Sequence, residues 1–175
     1  LWCFVNYTIS ITYFQAFERK ARELSGAVSQ GGSHSCKCGN INVIIQKGTI
    51  TKQRCDVMVI TASKELKLKY GALSKSVLEA AGPDIQTACD NNYPSGVDYG
   101  DVAATRAYKL HCRFVYFGSL PDWKNASDNP QQVLTDFITN CLEKAHSHDT
   151  KSKDCMVVEN ALLKEFQVTK GEIKI

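Results

Sequence analysis

The fold is decided by the stretch from Ile41 to Gln86, which reads INVIIQKGTITKQRCDVMVITASKELKLKYGALSKSVLEAAGPDIQ. It predicts a strand at Ile41–Gln46, a nearly continuous apolar strand at Asp56–Thr61, and a helix that is stopped by Gly82-Pro83. An apolar run of this kind is typical of a central strand that is covered on both faces. Small-residue loops at the carboxyl ends of such strands are where open α/β sheets hold nucleotides and their phosphates.

The remaining patterns predict further alternation of helices and strands. Asp84–Asn92 is expected to begin as a helix, and a longer helix is expected to open at Asn129-Pro130. Strands are predicted at Asp101–Tyr108, Arg113–Phe117 and Cys155–Val158. The alternation indicates a three-layer α/β/α sandwich with a mixed, mostly parallel central sheet.

The amino-terminal part of the chain has a different character. Residues 14–24 predict an amphipathic helix ended by Gly26, and residues 25–35 read as a Gly/Ser-rich linker. We therefore interpret residues 1–35 as an extension that precedes a domain at 36–158. The apolar stretch Leu1–Phe14 is too short to span a bilayer, which takes about 20 residues. Because the chain begins with Leu1 rather than Met, we expect a fragment of a longer protein or a poorly delimited gene product.

Composition restricts the function without deciding it. The chain has 175 residues and a net charge of +3, which does not by itself indicate nucleic acid. A local cluster of lysines is either a solvated face or a nucleic-acid contact: Lys64, Lys67, Lys69 and Lys75. The eight cysteines are interpreted as buried thiols of a reducing compartment rather than as disulfides. His34, Cys36 and Cys38 lack a matching second ligand pair, so we predict no metal.

Several short motifs follow one another in an informative order. They are Gly48-Thr49-Ile50-Thr51, Cys55-Asp56-Val57-Met58-Val59-Ile60-Thr61-Ala62-Ser63, Tyr70-Gly71-Ala72-Leu73, Ala80-Ala81-Gly82-Pro83, Gly100-Asp101, and Thr105, Tyr108 and Leu110 before Val115-Tyr116-Phe117. In this order they resemble the amino-terminal two-thirds of a macrodomain. The tandem macrodomains of poly(ADP-ribose) polymerase-like mono-ADP-ribosyltransferases are the nearest likeness.

The resemblance implies a site for ADP-ribose or for ADP-ribosylated proteins. The implied ligand-binding residues are Thr49, Ile50, Ala62, Ser63, Tyr70, Gly71, Ala72 and Leu73. Backbone N–H groups of a Gly-containing loop that opens onto a helix suit a diphosphate. No catalytic residue, metal or resident cofactor is implied, and NAD would concern only a parent transferase. The implied location is the nucleus, the cytoplasm or both, with no membrane association.

Four departures from the family pattern predict a degenerate site. Thr49 replaces an acidic residue that contacts adenine, and Ile60 and Ser63 replace two Asn residues. Gly71 stands alone in place of a triple-Gly loop. The second phosphate loop is not found after Val158, so we expect a truncated domain.

Residues 159–175 are interpreted as the first strand of a following macrodomain or as a divergent tail. Lys170-Gly171-Glu172-Ile173 echoes Lys47-Gly48-Thr49-Ile50, as an internal repeat or by chance.

The leading hypothesis is a module that binds ADP-ribose weakly within a larger ADP-ribosyltransferase-like protein. One alternative is a protein-interaction module without a small ligand. ADP-ribosyl hydrolysis is the disfavoured alternative, because Ile60 and Ser63 do not supply water-positioning groups. Nucleic acid remains a further alternative partner of the lysine cluster, which lies beside Tyr70.

Overall fold

A computed structural model describes the backbone of residues 2–6, 34–38, 41–46, 49–121, 129–147 and 155–158. Side chains are described for residues 49–121 and for most of 129–147. In chain order the elements are β1 (Trp2–Asn6), β2 (His34–Cys38), β3 (Ile41–Gln46), a 3₁₀ turn (Ile50–Lys52), β4 (Val57–Thr61), α1 (Ala72–Ala81), α2 (Asp84–Asn92), β5 (Ala103–Arg106), β6 (Phe114–Gly118), α3 (Pro130–Ser147) and β7 (Cys155–Val158).

The described strands form one mixed sheet in the order β2-β3-β1-β7-β4-β6-β5. The predicted mixed sheet is confirmed, but the expected parallel majority is wrong. Only β7-β4 and β4-β6 pair in parallel, and the other four pairings are antiparallel. An apolar run shows that a strand is buried but not which way it runs, and this explains the error.

Two strands lie in the part of the chain that the sequence assigned to an extension. β1 pairs antiparallel with β3 on one side and with β7 on the other. β2 begins at His34, inside the predicted linker, and pairs with β3. The sequence predicted neither strand. The boundary at residue 35 stays a prediction, and the proposed helix at residues 14–24 lies outside the described residues.

The three-layer arrangement is confirmed by how β4 divides its side chains. Val57 and Val59 pack on one face against the apolar stripe of α3. Met58 and Ile60 pack on the other face with residues of α1 and α2. All four side chains are buried, which accounts for the uninterrupted apolar run in the sequence.

Three strand bounds differ from the sequence predictions. β4 begins at Val57 rather than Asp56, and β6 spans Phe114–Gly118 rather than Arg113–Phe117. β5 is only four residues long, so the strand predicted at Asp101–Tyr108 is too long. The helix predicted to begin within Asp84–Asn92 is confirmed and occupies that whole range. Within the described part of the chain, no helix is long and apolar enough to cross a membrane.

Candidate functional site

The candidate site begins where β4 ends, at the loop that leads to α1. The Ala62 N–H donates to the Gly118 carbonyl at 2.9 Å, which ties the loop to the end of β6. The Ser63 carbonyl accepts a hydrogen bond from the Leu66 N–H at 2.8 Å, and the Ser63 hydroxyl accepts one from the Lys67 N–H at 3.2 Å. Ser63 is therefore engaged in building the turn.

The middle of this loop is held from two directions. Leu66 has a φ of +53° and a fully buried side chain. Its carbonyl accepts a hydrogen bond from the Gln86 side-chain nitrogen at 3.0 Å, and the Gln86 side-chain oxygen accepts the Leu68 N–H at 2.8 Å. The Val97 N–H donates to the Lys64 carbonyl at 2.8 Å. These contacts fix the path of the chain before it reaches Gly71.

Gly71 forms the junction between the loop and α1. Its φ of +89° is a conformation that residues with a Cβ rarely adopt. Its carbonyl accepts the first helical hydrogen bond, from the Lys75 N–H at 3.1 Å. No side chain caps this helix terminus, and its first turn holds no acidic residue. Because Gly71 and Ala72 are exposed, the positive end of the helix dipole faces open space.

The structure divides the eight predicted ligand-binding residues into three groups. Thr49, Tyr70, Gly71 and Ala72 are exposed, whereas Ile50 is buried in the core with Ala62 and Leu73 packed against the same cluster. Ser63 is half-buried and serves the turn. Ile50 is 2% exposed, so its side chain packs in the core. The assignment of these eight residues to ligand binding stays a prediction.

Tyr70 is the most conspicuous side chain beside Gly71. It is 61% exposed, and the Lys69 ammonium lies 5.0 Å from the centre of its ring. An exposed aromatic ring with a nearby cation can stack on a base or a sugar. Tyr70 also directly precedes Gly71, so its side chain lies beside the loop-to-helix junction.

The lysine cluster is largely neutralised by carboxylates. Lys64 pairs with Asp98 and Lys67 with Asp90, both at 2.8 Å, and Lys75 approaches Glu79 at 4.0 Å. These hydrogen-bonded partners raise the pKa of Lys64 and of Lys67 above its ordinary value. The pairing reduces the free positive charge that nucleic acid would need, and contact with nucleic acid stays an untested prediction.

A concavity away from this loop was not predicted from the sequence. It has a volume of about 570 Å³ and lies between the loop after α2 and the carboxyl-terminal half of α3. Its lining includes Tyr93, Asp98, Asp101, Asn140 and Glu143. The Asn140 side chain donates to the Gly100 carbonyl at 2.9 Å, which joins the two walls. Only the Gly100-Asp101 motif contributes to it from the sequence analysis, and its other lining residues come from distant segments.

The geometry agrees with comparisons with known proteins. The family model of the Macro domain matches residues 57–157. The chain belongs to the macrodomain family. The match covers β4 through β7, so it includes the loop, the glycine and the helix described above.

Individual relatives support this assignment. The chain is 33% identical to human "Protein mono-ADP-ribosyltransferase PARP14" over 65% of its own length and 6% of the relative. It is 32% identical to "O-acetyl-ADP-ribose deacetylase" of Cronobacter turicensis over 60% of its length and 59% of the relative. The Oceanobacillus iheyensis macrodomain with ADP has a TM-score of 0.59 at 26% identity, covering 67% of this chain and 64% of that one. The chain thus covers less than two-thirds of the length of each of these proteins.

Proposed function

We propose that this macrodomain binds ADP-ribose, free or attached to a protein, at the start of α1. The observation that carries the proposal is the exposed, uncapped helix terminus behind Gly71. The diphosphate would accept hydrogen bonds from the N–H groups of the first helical turn, beginning at Ala72. The anion would also lie at the positive end of the helix dipole.

The comparisons support a ligand of this class. One similar structure is the Oceanobacillus iheyensis macrodomain with ADP, and another is a mutant of that macrodomain with ADPR, at 27% identity and a TM-score of 0.59. Those ligands belong to those proteins. They direct attention to nucleotide diphosphates as the first ligands to test on this chain.

We expect the affinity to be low for two reasons. Thr49 is exposed and carries a hydroxyl rather than a charge, so a hydrogen bond to adenine would lack charge assistance. Gly71 is the only glycine in its loop, and the side chain of Tyr70 stands directly before it. A bulky neighbour limits how many backbone amides approach the phosphates.

Hydrolysis of an ADP-ribose ester is the second candidate function, and the likeness to O-acetyl-ADP-ribose deacetylases favours it. Two observations make hydrolysis a weaker candidate than ADP-ribose binding. Ile60 is fully buried in the apolar core, and the Ser63 hydroxyl accepts the Lys67 N–H. Neither residue supplies an amide that could hold a water molecule over the ligand. A ligand-free interaction module is the third candidate.

The likeness to mono-ADP-ribosyltransferases supports a wider proposal about the parent protein. We infer that the domain is one module of a longer, ADP-ribosyltransferase-like protein of the nucleus, the cytoplasm or both. In that protein NAD would serve a separate catalytic domain. The module would then recruit ADP-ribosylated partners.

The test is calorimetric titration of ADP-ribose into the wild type and two matched variants. Gly71→Glu places a carboxylate and a strained backbone at the amino end of α1. Gly82→Glu introduces the same side chain at the carboxyl end of that helix, where φ is +91°. We expect Gly71→Glu to lose at least tenfold in affinity, about 1.4 kcal/mol, and Gly82→Glu to bind like the wild type once folding is verified.

The alternative outcomes separate the three candidates. Equal binding by Gly71→Glu and the wild type would refute the placement of the diphosphate. No heat from a folded wild type would favour the ligand-free interaction module. Release of acetate from O-acetyl-ADP-ribose would establish the hydrolase.

A further inference from the structure

Two half-buried cysteines come together at the end of the sheet opposite the loop described above. Cys55 precedes β4 and Cys112 precedes β6. The recorded parallel register begins at Val57 and Phe114, and the same offset continued two residues back sets position 55 across from position 112. The Cys55 N–H donates to the carbonyl of His111, the neighbour of Cys112, at 3.2 Å. The two backbones are therefore adjacent at this point.

Both side chains also turn to the same face. Val57 and Phe114 pack toward α3, and strict alternation would send the residues two positions earlier the same way. Cys55 and Cys112 instead pack against the cluster on the α1 and α2 side. The Asp56 carbonyl accepts hydrogen bonds from both Arg113 and Phe114, at 3.0 and 3.1 Å, which marks the local irregularity. Both cysteine side chains thus lie on the face of the sheet opposite to the one that alternation predicts.

We propose that Cys55 and Cys112 form a reversible disulfide that links the beginnings of β4 and β6. Neighbouring strands lie about 4.8 Å apart. Disulfides join Cα atoms about 4.4–6.8 Å apart, so directly opposed positions are within reach. The other thiols whose side chains are described, Cys89 and Cys141, are buried, and burial raises the pKa of Cys89 to about 12. Among the described cysteines, the two of intermediate exposure are therefore the two whose backbones are adjacent.

The oxidant would be a low-molecular-weight disulfide such as oxidised glutathione. One protein thiolate attacks a glutathione sulfur, forms a mixed disulfide and releases the first glutathione. The second protein thiol then displaces the second glutathione, so two protein thiols are oxidised, one glutathione disulfide is reduced, and the two thiol protons end on the two glutathiones. The exposed side chains of Arg54, His111 and Arg113 flank the pair and favour the approach of this anionic reagent.

The test is to incubate the full chain with oxidised glutathione, block remaining thiols, and map the peptides by mass spectrometry. We expect a peptide pair linked through Cys55 and Cys112, with two hydrogens lost and complete reversal by dithiothreitol. Cys89 should stay unmodified as the internal control. The oxidised protein should melt at a higher temperature, because the link restricts the unfolded chain.

Single variants sharpen the result. Cys55→Ser and Cys112→Ser should each take up one glutathione on the remaining cysteine, form no internal link there, and lose the oxidation-dependent rise in melting temperature. Stable glutathione adducts on both cysteines of the wild type, or a link from either to another cysteine, would overturn the proposal. The wild-type peptide map decides this even if a variant fails to fold. Binding of ADP-ribose should be unchanged by the link, since the proposed ligand loop follows the other end of β4.

Discussion

Gln86 forms two hydrogen bonds to the backbone directly after Leu66, a buried residue with a left-handed φ, and so fixes the segment from Leu66 to Leu68. Its amide nitrogen donates to the Leu66 carbonyl at 3.0 Å, and its amide oxygen accepts the Leu68 N–H at 2.8 Å. A buried leucine at φ +53° is a strained position that surrounding structure must maintain. The clamp reaches from α2 to the loop that precedes Gly71. The shape of the proposed ligand loop therefore depends on a residue that does not line it.

Replacing this amide should loosen the loop. We expect Gln86→Leu to lower the free energy of unfolding by about 1–3 kcal/mol, because two partly buried backbone groups lose their partners. ADP-ribose affinity should fall as well. The matched control is Gln132→Leu, since exposed Gln132 bonds the Asp136 side chain on its own helix, at 2.8 Å. Urea unfolding measures the stability of both variants. Equal destabilisation by Gln86→Leu and Gln132→Leu would contradict the clamp.

A second prediction concerns the edge of the sheet at β5. The Tyr93 hydroxyl accepts the Ala104 N–H at 2.8 Å and donates to the Ala104 carbonyl at 3.2 Å. It thereby satisfies two outward-facing groups that another strand would otherwise pair with. Tyr93→Phe should cost about 1–2 kcal/mol of stability and increase aggregation. Tyr108→Phe is the control, because that side chain is 45% exposed.

Thermal melts followed by light scattering distinguish the two tyrosine variants. We expect earlier melting and more scattering for Tyr93→Phe alone. If Tyr108→Phe aggregates to the same extent, loss of any tyrosine hydroxyl is the cause and the edge plays no special part.

The sequence predicted the layers better than the strand directions or the contacts. The run Val57–Ile60 indicated burial on both faces, and Gly71 indicated a loop-to-helix junction, since apolar pattern and glycine chemistry are local signals. β1 was missed because its pairing with β3 and β7 depends on distant residues. The Gln86 clamp was missed for a similar reason. A side-chain amide that binds the backbone 20 residues away leaves no periodic trace.

The third prediction tests the packing of α3 on the sheet. Gly118 ends β6, and a Cβ built there would overlap the Phe137 ring. Gly118→Ala should therefore destabilise the domain by about 1–3 kcal/mol, since a packed core accommodates added volume poorly. Gly118→Ala should cost less stability when it is added to Phe137→Leu than when it is added to the wild type, because the smaller side chain leaves room for the new methyl group. Strictly additive effects in urea unfolding would show that the glycine matters for another reason.

The last prediction concerns the pH dependence of the Lys67–Asp90 ion pair, whose charged atoms are 2.8 Å apart. The hydrogen bond from Lys67, and then the one from Gln86, hold the pKa of Asp90 below its ordinary value of 3.8. The hydrogen bond to Asp90 raises the pKa of Lys67 above its ordinary value of 10.5. Both shifts mean that the folded state favours the charged forms.

The signs define where the pair stabilises the fold. The contribution of Asp90 is present above pH 3.8 and is lost as the pH falls through its lowered folded-state pKa. The contribution of Lys67 is present below pH 10.5 and is lost as the pH rises through its raised folded-state pKa. A double-mutant cycle with Lys67→Gln and Asp90→Asn should show coupling at neutral pH, less coupling in high salt, and none in strong acid. Coupling that persists after Asp90 is protonated would mean that the two residues interact through packing rather than charge.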